Sequence, residues 1–101
     1  MEDICLYVIL VRVSWDPAKA KANLRRHSVG FAEAATVLED DFALTREDPD
    51  AEDEERFVTL GLSSDGKLLV VVYTYREDTI RIISAWKANR RQRIHYEKGR
   101  R

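Results

Sequence analysis

Side chains that can bind a phosphate or move a proton are concentrated near the carboxyl end of the chain. One stretch of 16 residues contains Arg81, Ser84, Lys87, Asn89, Arg90, Arg91, Arg93, His95 and Tyr96. Attack of a ribose 2′-OH on the adjacent phosphate in RNA requires cations to stabilise the growing negative charge, and a His, Tyr or Lys to carry protons. The cluster therefore contains parts suited to RNA cleavage. An RNA-binding or solvated helix face without catalysis is the alternative interpretation.

Other kinds of site find less support in the sequence. His27 and His95 are 68 residues apart, and neither has Cys, Asp or Glu at metal-ligand spacing. The four glycines are scattered, so there is no glycine-rich phosphate loop. Cys5 is the only cysteine and lies in an apolar run, where a thiolate is costly. We expect no metal, no cofactor and no internal disulfide.

Composition and charge limit the class of protein. The chain has 101 residues, of which 45% are hydrophobic and 35% charged, and we expect a single domain over 1–101. No run of about 18 apolar residues could span a membrane and no secretory signal is evident, so a cytoplasmic protein is expected. Residues 39–56 contain 10 acidic and 2 basic residues, whereas 81–101 contain 8 basic and one acidic. The first segment is expected to be a solvated loop, and the second has the charge of a nucleic-acid-binding surface.

The hydrophobic pattern predicts the elements that must position this cluster. Ile4 to Ser14 is rich in Val, Ile and Leu and predicts a first strand. Asp16-Pro17 predicts a capped helix start, with a helix from Pro17 to about His27. A second helix is expected from Phe31 to Leu38. These elements precede the acidic loop.

The second half of the chain has mainly strand periodicity. Strands are predicted at Phe42–Arg46, Arg56–Leu62, Lys67–Tyr75 and Thr79–Ala85, and Asn89 with Gln92 forms a capping box for a helix from about Arg90 to Lys98. The third of these strands is apolar on both faces and should be central in the sheet. The order β-α-α-β-β-β-β-α predicts an α+β fold with an antiparallel sheet of three to five strands.

Five motifs, in order, resemble those of the BrnT family of type II toxins. They are WDPAK at 15–19, NLRRH at 23–27, FAEAA at 31–35, EERFV at 54–58 and RIISA at 81–85. The resemblance extends over about Val13 to Gly99. It implies a RelE-like fold and a small ribonuclease that inhibits translation. It also implies a BrnA-like ribbon-helix-helix antitoxin, a toxin–antitoxin heterotetramer, and contact with DNA only through that partner.

The resemblance also assigns roles to individual residues. It implies catalytic roles for Arg81, Lys87, His27 and Tyr96. The two cations would bind the phosphate, His27 would move protons, and Tyr96 would either move protons or stack on a base. A structural role for His27 at the end of its helix is the alternative. RNA binding is implied for Arg56, Arg90 and Arg91, and we expect it also for Arg93 in the same basic cluster and for Trp86, whose indole offers a stacking surface although the family has arginine at that position. We expect the positive side chains near the carboxyl end to form a single pocket.

Three departures from the family pattern bear on this hypothesis. The family has Ser-Ala-Arg where this chain has Ser84-Ala85-Trp86, so an indole replaces a guanidinium. A weakly active or inactive RNA-binding or antitoxin-binding module is therefore the alternative function. Between the first two helices the glycine has moved to Gly30, which removes a side-chain N-cap. Residues 1–12 form an extension with three alternative interpretations: a longer first strand, pairing across a dimer, or an upstream start codon.

Overall fold

The computed structural model describes residues 3–8 and 11–99, which form one sheet with helices on both faces. The elements in chain order are β1 (Ile4–Val8), β2 (Val11–Trp15), α1 (Pro17–His27), α2 (Phe31–Thr36), β3 (Leu44–Glu47), β4 (Phe57–Leu62), β5 (Leu68–Arg76), β6 (Thr79–Lys87) and α3 (Arg90–Gly99). A short 3-10 turn, Val37–Glu39, follows α2. None of the helices in the described residues is long and apolar enough to cross a membrane.

The sheet confirms the α+β class and has the order β1-β2-β6-β5-β4-β3. Neighbouring strands are antiparallel except β2 and β6, which run parallel. Within the described residues there are six strands rather than three to five. The additional strand arises because the apolar run predicted as one strand, Ile4–Ser14, forms two, with Ile4 opposite Trp15. Continuous apolar sequence does not reveal where a chain turns back on itself.

Local capping signals explain why the helix starts agree with the sequence. Asp16 accepts a hydrogen bond from the Ala18 backbone N–H at 2.8 Å, and Pro17 occupies the first helical position of α1. Asn89 and Gln92 exchange two hydrogen bonds, each 2.8 Å long, which confirms the capping box of α3. The helix predicted over Phe31–Leu38 ends earlier, at Thr36, and continues as the 3-10 turn.

Side chains of β5 alternate between two apolar cores, one on each face of the sheet. Leu69, Val71 and Tyr73 pack in the larger core, which α2 covers. Leu68 and Val70 pack in the smaller core, together with Tyr96 of α3. β5 is therefore buried on both faces, as its apolar sequence predicts. The two cores fix the position of β6, which pairs with β5 along its length.

Candidate functional site

Helix α1 lies along the part of β6 that no strand covers. In the described residues β2 pairs with β6 only from Thr79 to Arg81. Beyond that point the side chain of Asn23 in α1 replaces a neighbouring strand. Its amide donates to the Ala85 carbonyl at 2.8 Å, and its amide oxygen accepts from the Ala85 N–H at 3.1 Å. The carboxyl end of α1 is thereby held beside the end of β6.

An open cleft forms where these two ends meet. Arg26 and His27 of α1 line it together with Trp86 and Lys87 of β6. The His27 and Trp86 rings have centroids 6.0 Å apart and are tilted by 46°. A second depression shares Arg26 and His27 and extends the cleft between the two elements. We refer to the whole as the α1–β6 cleft, defined by Lys19, Arg26, His27, Ser84, Trp86 and Lys87.

The charge of the α1–β6 cleft is that of an anion-binding site. Lys19, Arg26 and Lys87 are exposed cations, whereas His27 and Trp86 are half-buried. Among the described residues that line the cleft, none is acidic. Cations can hold phosphate groups, an imidazole can transfer protons, and an indole presents a face on which a base can stack. The described part of the chain has no group of three or more His, Cys, Asp or Glu side chains that could hold a metal ion.

Arg81 lies at the opposite end of β6. It is opposite Ser14 of β2 and Thr74 of β5, and its guanidinium forms an ion pair with the carboxylate of Asp3. The hydrogen bond from Arg81 lowers the pKa of Asp3 below its usual 3.8. The Arg81 side chain is only 16% exposed. Arg81 lines neither depression of the α1–β6 cleft, and it is five positions, roughly 16 Å of extended strand, from Trp86.

Tyr96 belongs to α3, and its side chain is buried in the smaller core. It is 2% exposed, and its hydroxyl donates to a carboxylate oxygen of Asp40 at 2.5 Å. The same oxygen accepts from the Leu62 N–H at 2.9 Å, and the other oxygen accepts from the Phe42 N–H at 3.0 Å. The hydroxyl therefore joins α3 to the segment between α2 and β3, and it does not reach the α1–β6 cleft.

The remaining predicted arginines lie in two different places. Arg56 lines a depression formed by the acidic loop, which also includes Glu47, Asp48 and Glu52 through Glu55. Arg90, Arg91 and Arg93 are exposed on α3, three to six residues beyond Lys87. Of the nine residues predicted from the sequence, the structure brings His27, Trp86 and Lys87 together, and within residues 3–8 and 11–99 the nine do not share the expected single pocket.

Three further residues of α1 belong to this region and were not assigned a role from the sequence. Lys19, Asn23 and Arg26 are spaced four and three residues apart, which places them on one face of the helix. That periodicity, combined with the neighbouring His27, is the signal that could have identified them. The contact of Asn23 with Ala85 of β6 spans 62 residues and could not be read from the spacing.

The comparisons with known proteins agree with this architecture. A sequence model described as "Ribonuclease toxin, BrnT, of type II toxin-antitoxin system" matches residues 15–92. The chain belongs to the BrnT family. Every residue of the α1–β6 cleft lies within the range that matches the BrnT model, whereas Asp3 and β1 precede it.

A solved BrnT structure has the same fold. The crystal structure of the Brucella abortus ribonuclease toxin BrnT is similar to this chain with a TM-score of 0.56 and 20% sequence identity, covering 75% of this chain and 94% of that one. No curated protein sequence matches the chain. At this identity the similarity to the solved BrnT structure shows the fold alone.

Proposed function

We propose that this BrnT chain cleaves RNA and that the α1–β6 cleft is where it does so. The observation that supports the proposal is that His27, Trp86 and Lys87 line the same cleft. The centroids of the His27 and Trp86 rings are 6.0 Å apart. These three residues come from elements far apart in sequence. The cleft thus combines a proton carrier, a cation and an aromatic face, all within the family-matched range.

The proposed reaction assigns one step to each of these groups. Arg26 and Lys19 bind the phosphates of a single RNA strand, and Trp86 stacks on a base beside the scissile phosphate. His27 accepts the proton of the 2′-OH as the 2′ oxygen forms a bond to phosphorus. The bond from phosphorus to the 5′ oxygen breaks, and this oxygen takes a proton from Lys87. The products are a 2′,3′-cyclic phosphate and a 5′-OH, and solvent restores both side chains without a metal ion.

The other predicted residues take supporting roles in this proposal. Arg90, Arg91 and Arg93 continue the positive surface from Lys87 and bind flanking phosphates. Arg81 binds a phosphate only where that phosphate displaces Asp3. Tyr96 stabilises the attachment of α3 through Asp40. Arg56 is surrounded by carboxylates, which weaken its attraction for RNA.

Membership of a type II toxin–antitoxin family implies an antitoxin partner. We propose that this partner is a BrnA-like ribbon-helix-helix protein that forms a heterotetramer with the toxin and carries the contact with DNA. Cleavage of RNA in the cytoplasm would then inhibit translation. Copurification of the two proteins, with their mass measured by light scattering, tests the stoichiometry.

Trp86 favours a second candidate function, which is RNA binding without cleavage. Its half-buried ring packs against the smaller core, at the position where relatives are expected to have arginine. Loss of that guanidinium removes a cation that could stabilise the transition state. In this candidate the cleft holds single-stranded RNA, and the base stacks on the indole.

One experiment separates the two functions. The purified chain, free of antitoxin, is incubated in EDTA with end-labelled single-stranded RNA, and cleavage and binding are both measured. We expect products ending in a 2′,3′-cyclic phosphate, and a fall in kcat of about 10²- to 10⁴-fold for His27→Gln. His95→Gln is the matched control, because His95 is an exposed histidine outside the cleft, and it should cleave normally.

The outcome for Trp86→Arg identifies the second candidate. If the wild-type chain binds RNA without cutting it and Trp86→Arg cleaves, the natural protein is an RNA-binding module on a competent scaffold. If the folded wild-type chain neither binds nor cleaves RNA, both functions are wrong.

A further inference from the structure

We infer that Asn23 is the positioning residue of the α1–β6 cleft, setting His27 against Trp86. Its kinetic consequence rests on the ribonuclease function proposed above. Asn23 is 7% exposed and lines the second depression of the cleft, where its amide bonds to backbone groups. It acts through the two rings, and its role follows from three hydrogen bonds.

The first two bonds connect α1 to β6. The backbone N–H and carbonyl of Ala85 both bond to the Asn23 amide, at 3.1 and 2.8 Å. An adjacent strand would normally provide this pair of partners. Because the bonds are buried, water cannot replace the amide without opening the contact. Asn23 thus fixes the position of α1 along the length of β6.

The third bond connects the end of α1 to the same amide. Asn23 donates to the carbonyl of Val29 at 3.0 Å, so the chain folds back directly after the helix. Ser28, the residue between His27 and Val29, has φ of 59° and closes the helix with a bond from its N–H to the Leu24 carbonyl. The last turn, which carries His27, is therefore held at both ends.

Because of the spacing in sequence, the hydrogen bonds of Asn23 also determine where His27 lies relative to Trp86. Asn23 lies four residues before His27, one helical turn away on the same face. Its partner Ala85 directly precedes Trp86. A slide or rotation of α1 relative to β6 must therefore change the separation of the two rings, which is 6.0 Å when the bonds are made.

Apolar packing cannot hold α1 in place of this amide. Among the 11 residues of α1, Asn23 is the one that is buried. Leu24, the largest apolar side chain of the helix, is 54% exposed. Ala20 contributes a partly buried methyl group to the larger core. The attachment of α1 next to the cleft thus depends on hydrogen bonds to a degree that is unusual for a surface helix.

The test compares Asn23→Ala with Thr36→Val. Thr36 is a suitable control because its hydroxyl also joins separate segments, donating to the Glu33 carbonyl and accepting from the Ser64 N–H, and it does not line the cleft. Both variants lose hydrogen bonds to backbone groups and should be destabilised. Asn23→Ser is prepared as well, so that a smaller polar substitution is available if the alanine variant does not fold.

Trp86 fluorescence provides a readout that does not require cleavage. An imidazole held against an indole quenches its fluorescence, so His27→Gln should raise the fluorescence of Trp86 above that of the wild type. The cations facing His27 are Lys19 and Arg26 on α1 and Lys87 on β6. Trp86→Phe identifies the part of the signal that comes from Trp86 rather than from the buried Trp15.

We expect Asn23→Ala to lose most of the quenching that depends on His27, whereas Thr36→Val keeps it. In the cleavage assay, Asn23→Ala should lower kcat by about 10- to 100-fold with little change in KM, because misplacing a reacting group by about 1 Å costs that much. Thr36→Val should retain kcat below its melting temperature.

The outcomes separate this role from the proposed function. If neither the wild type nor Asn23→Ala cleaves RNA but Asn23→Ala loses the quenching, the positioning role stands and the ribonuclease function is wrong. If the folded Asn23 variants keep the wild-type quenching, or if the wild type shows none, Asn23 does not position His27 against Trp86. A fall in kcat no larger than that of Thr36→Val also overturns the positioning role.

Discussion

The Arg81 guanidinium and the Asp3 carboxylate form an ion pair that joins β6 to the chain ahead of β1. Asp3 lies 12 residues before the region that matches the BrnT family, which begins at Trp15. Arg81 is inside that region and carries the charge that the sequence assigned to phosphate binding. In this chain the carboxylate occupies a position on the guanidinium that a phosphate oxygen would otherwise take.

Asp3→Asn should therefore strengthen RNA binding by removing a carboxylate that competes with phosphate for Arg81. We expect the Kd for an uncleavable 2′-O-methyl RNA to fall by about two- to fivefold, the range for a partly exposed ion pair. Asp65→Asn, in the exposed turn between β4 and β5, removes the same charge far from Arg81 and controls for net charge. Equal tightening in both variants would show that Asp3 acts through total charge and not through Arg81.

The same ion pair should contribute to stability in a pH-dependent way. The hydrogen bond from Arg81 lowers the pKa of Asp3 in the folded chain. The ion pair therefore contributes fully to the stability of the fold above the ordinary pKa of 3.8, and this contribution is lost as the pH falls through the lowered pKa. The difference in Tm between the wild type and Asp3→Asn should be constant near neutral pH and shrink in acid. Thermal melts across this range measure it, and a difference that shrinks near pH 6 would assign the effect to another group.

Tyr96→Phe should reduce stability and leave catalysis intact. The buried hydroxyl donates to the Asp40 carboxylate, and such bonds to charged groups contribute about 1.5–3 kcal/mol to the free energy of unfolding. Tyr75→Phe is the matched control, since Tyr75 is 53% exposed and its variant should change stability by less than about 0.5 kcal/mol. Urea unfolding and RNA cleavage are measured on both. A Tyr96→Phe protein with full stability and no cleavage would return Tyr96 to the proton-transfer role implied by the family resemblance.

The elements that the sequence predicts well are those whose signals are local. Asp16 caps α1 through a residue two positions away, and Asn89 pairs with Gln92 three positions away. The apolar sequence of β5 likewise reports its own burial on both faces. Each of these signals lies within a few residues of the structure that it determines, so the sequence pattern is sufficient.

The candidate site was predicted less well because long-range contacts form it. Asn23 bonds to Ala85 across 62 residues, and Tyr96 bonds to Asp40 across 56. The sequence spacing grouped Arg81 and Tyr96 with Lys87. In the structure, the length of β6 separates Arg81 from Lys87, and Tyr96 lies on the buried face of α3. Proximity in sequence within a strand and helix does not imply a shared pocket, since a nine-residue strand spans roughly 30 Å.

Gly61→Ala should destabilise the chain through the same carboxylate that Tyr96 contacts. A Cβ at this position would lie 3.1 Å from an Asp40 carboxylate oxygen and 3.0 Å from the Val37 side chain. Hydrogen bonds hold Asp40, so it cannot move away without losing them. We expect a loss of about 1–3 kcal/mol in the free energy of unfolding, measured in urea.

Gly30→Ser should increase the stability of the chain, whereas Gly61→Ala should decrease it. A Cβ at Gly30 meets no atom within 4 Å, and α2 begins there without a side-chain cap. A serine should stabilise the helix by a few tenths of a kcal/mol, about the difference between these two residues at an N-cap. Similar losses from both substitutions would show that glycine flexibility, rather than space or capping, controls these positions.

The salt dependence of RNA binding should distinguish the α1–β6 cleft from the acidic loop. For single strands, log Kobs falls against log salt with a slope of about −0.7 per neutralised phosphate. Arg26→Ala and Lys87→Ala should each reduce the magnitude of this slope by about 0.7, because each removes one phosphate contact. Arg56→Ala should leave it unchanged, since the carboxylates around Arg56 repel the strand. Titrations with 2′-O-methyl RNA at several salt concentrations measure all three. A reduction for Arg56→Ala equal to that for Lys87→Ala would place RNA at the opposite end of the sheet, beside Arg81, and would move the proposed site away from His27.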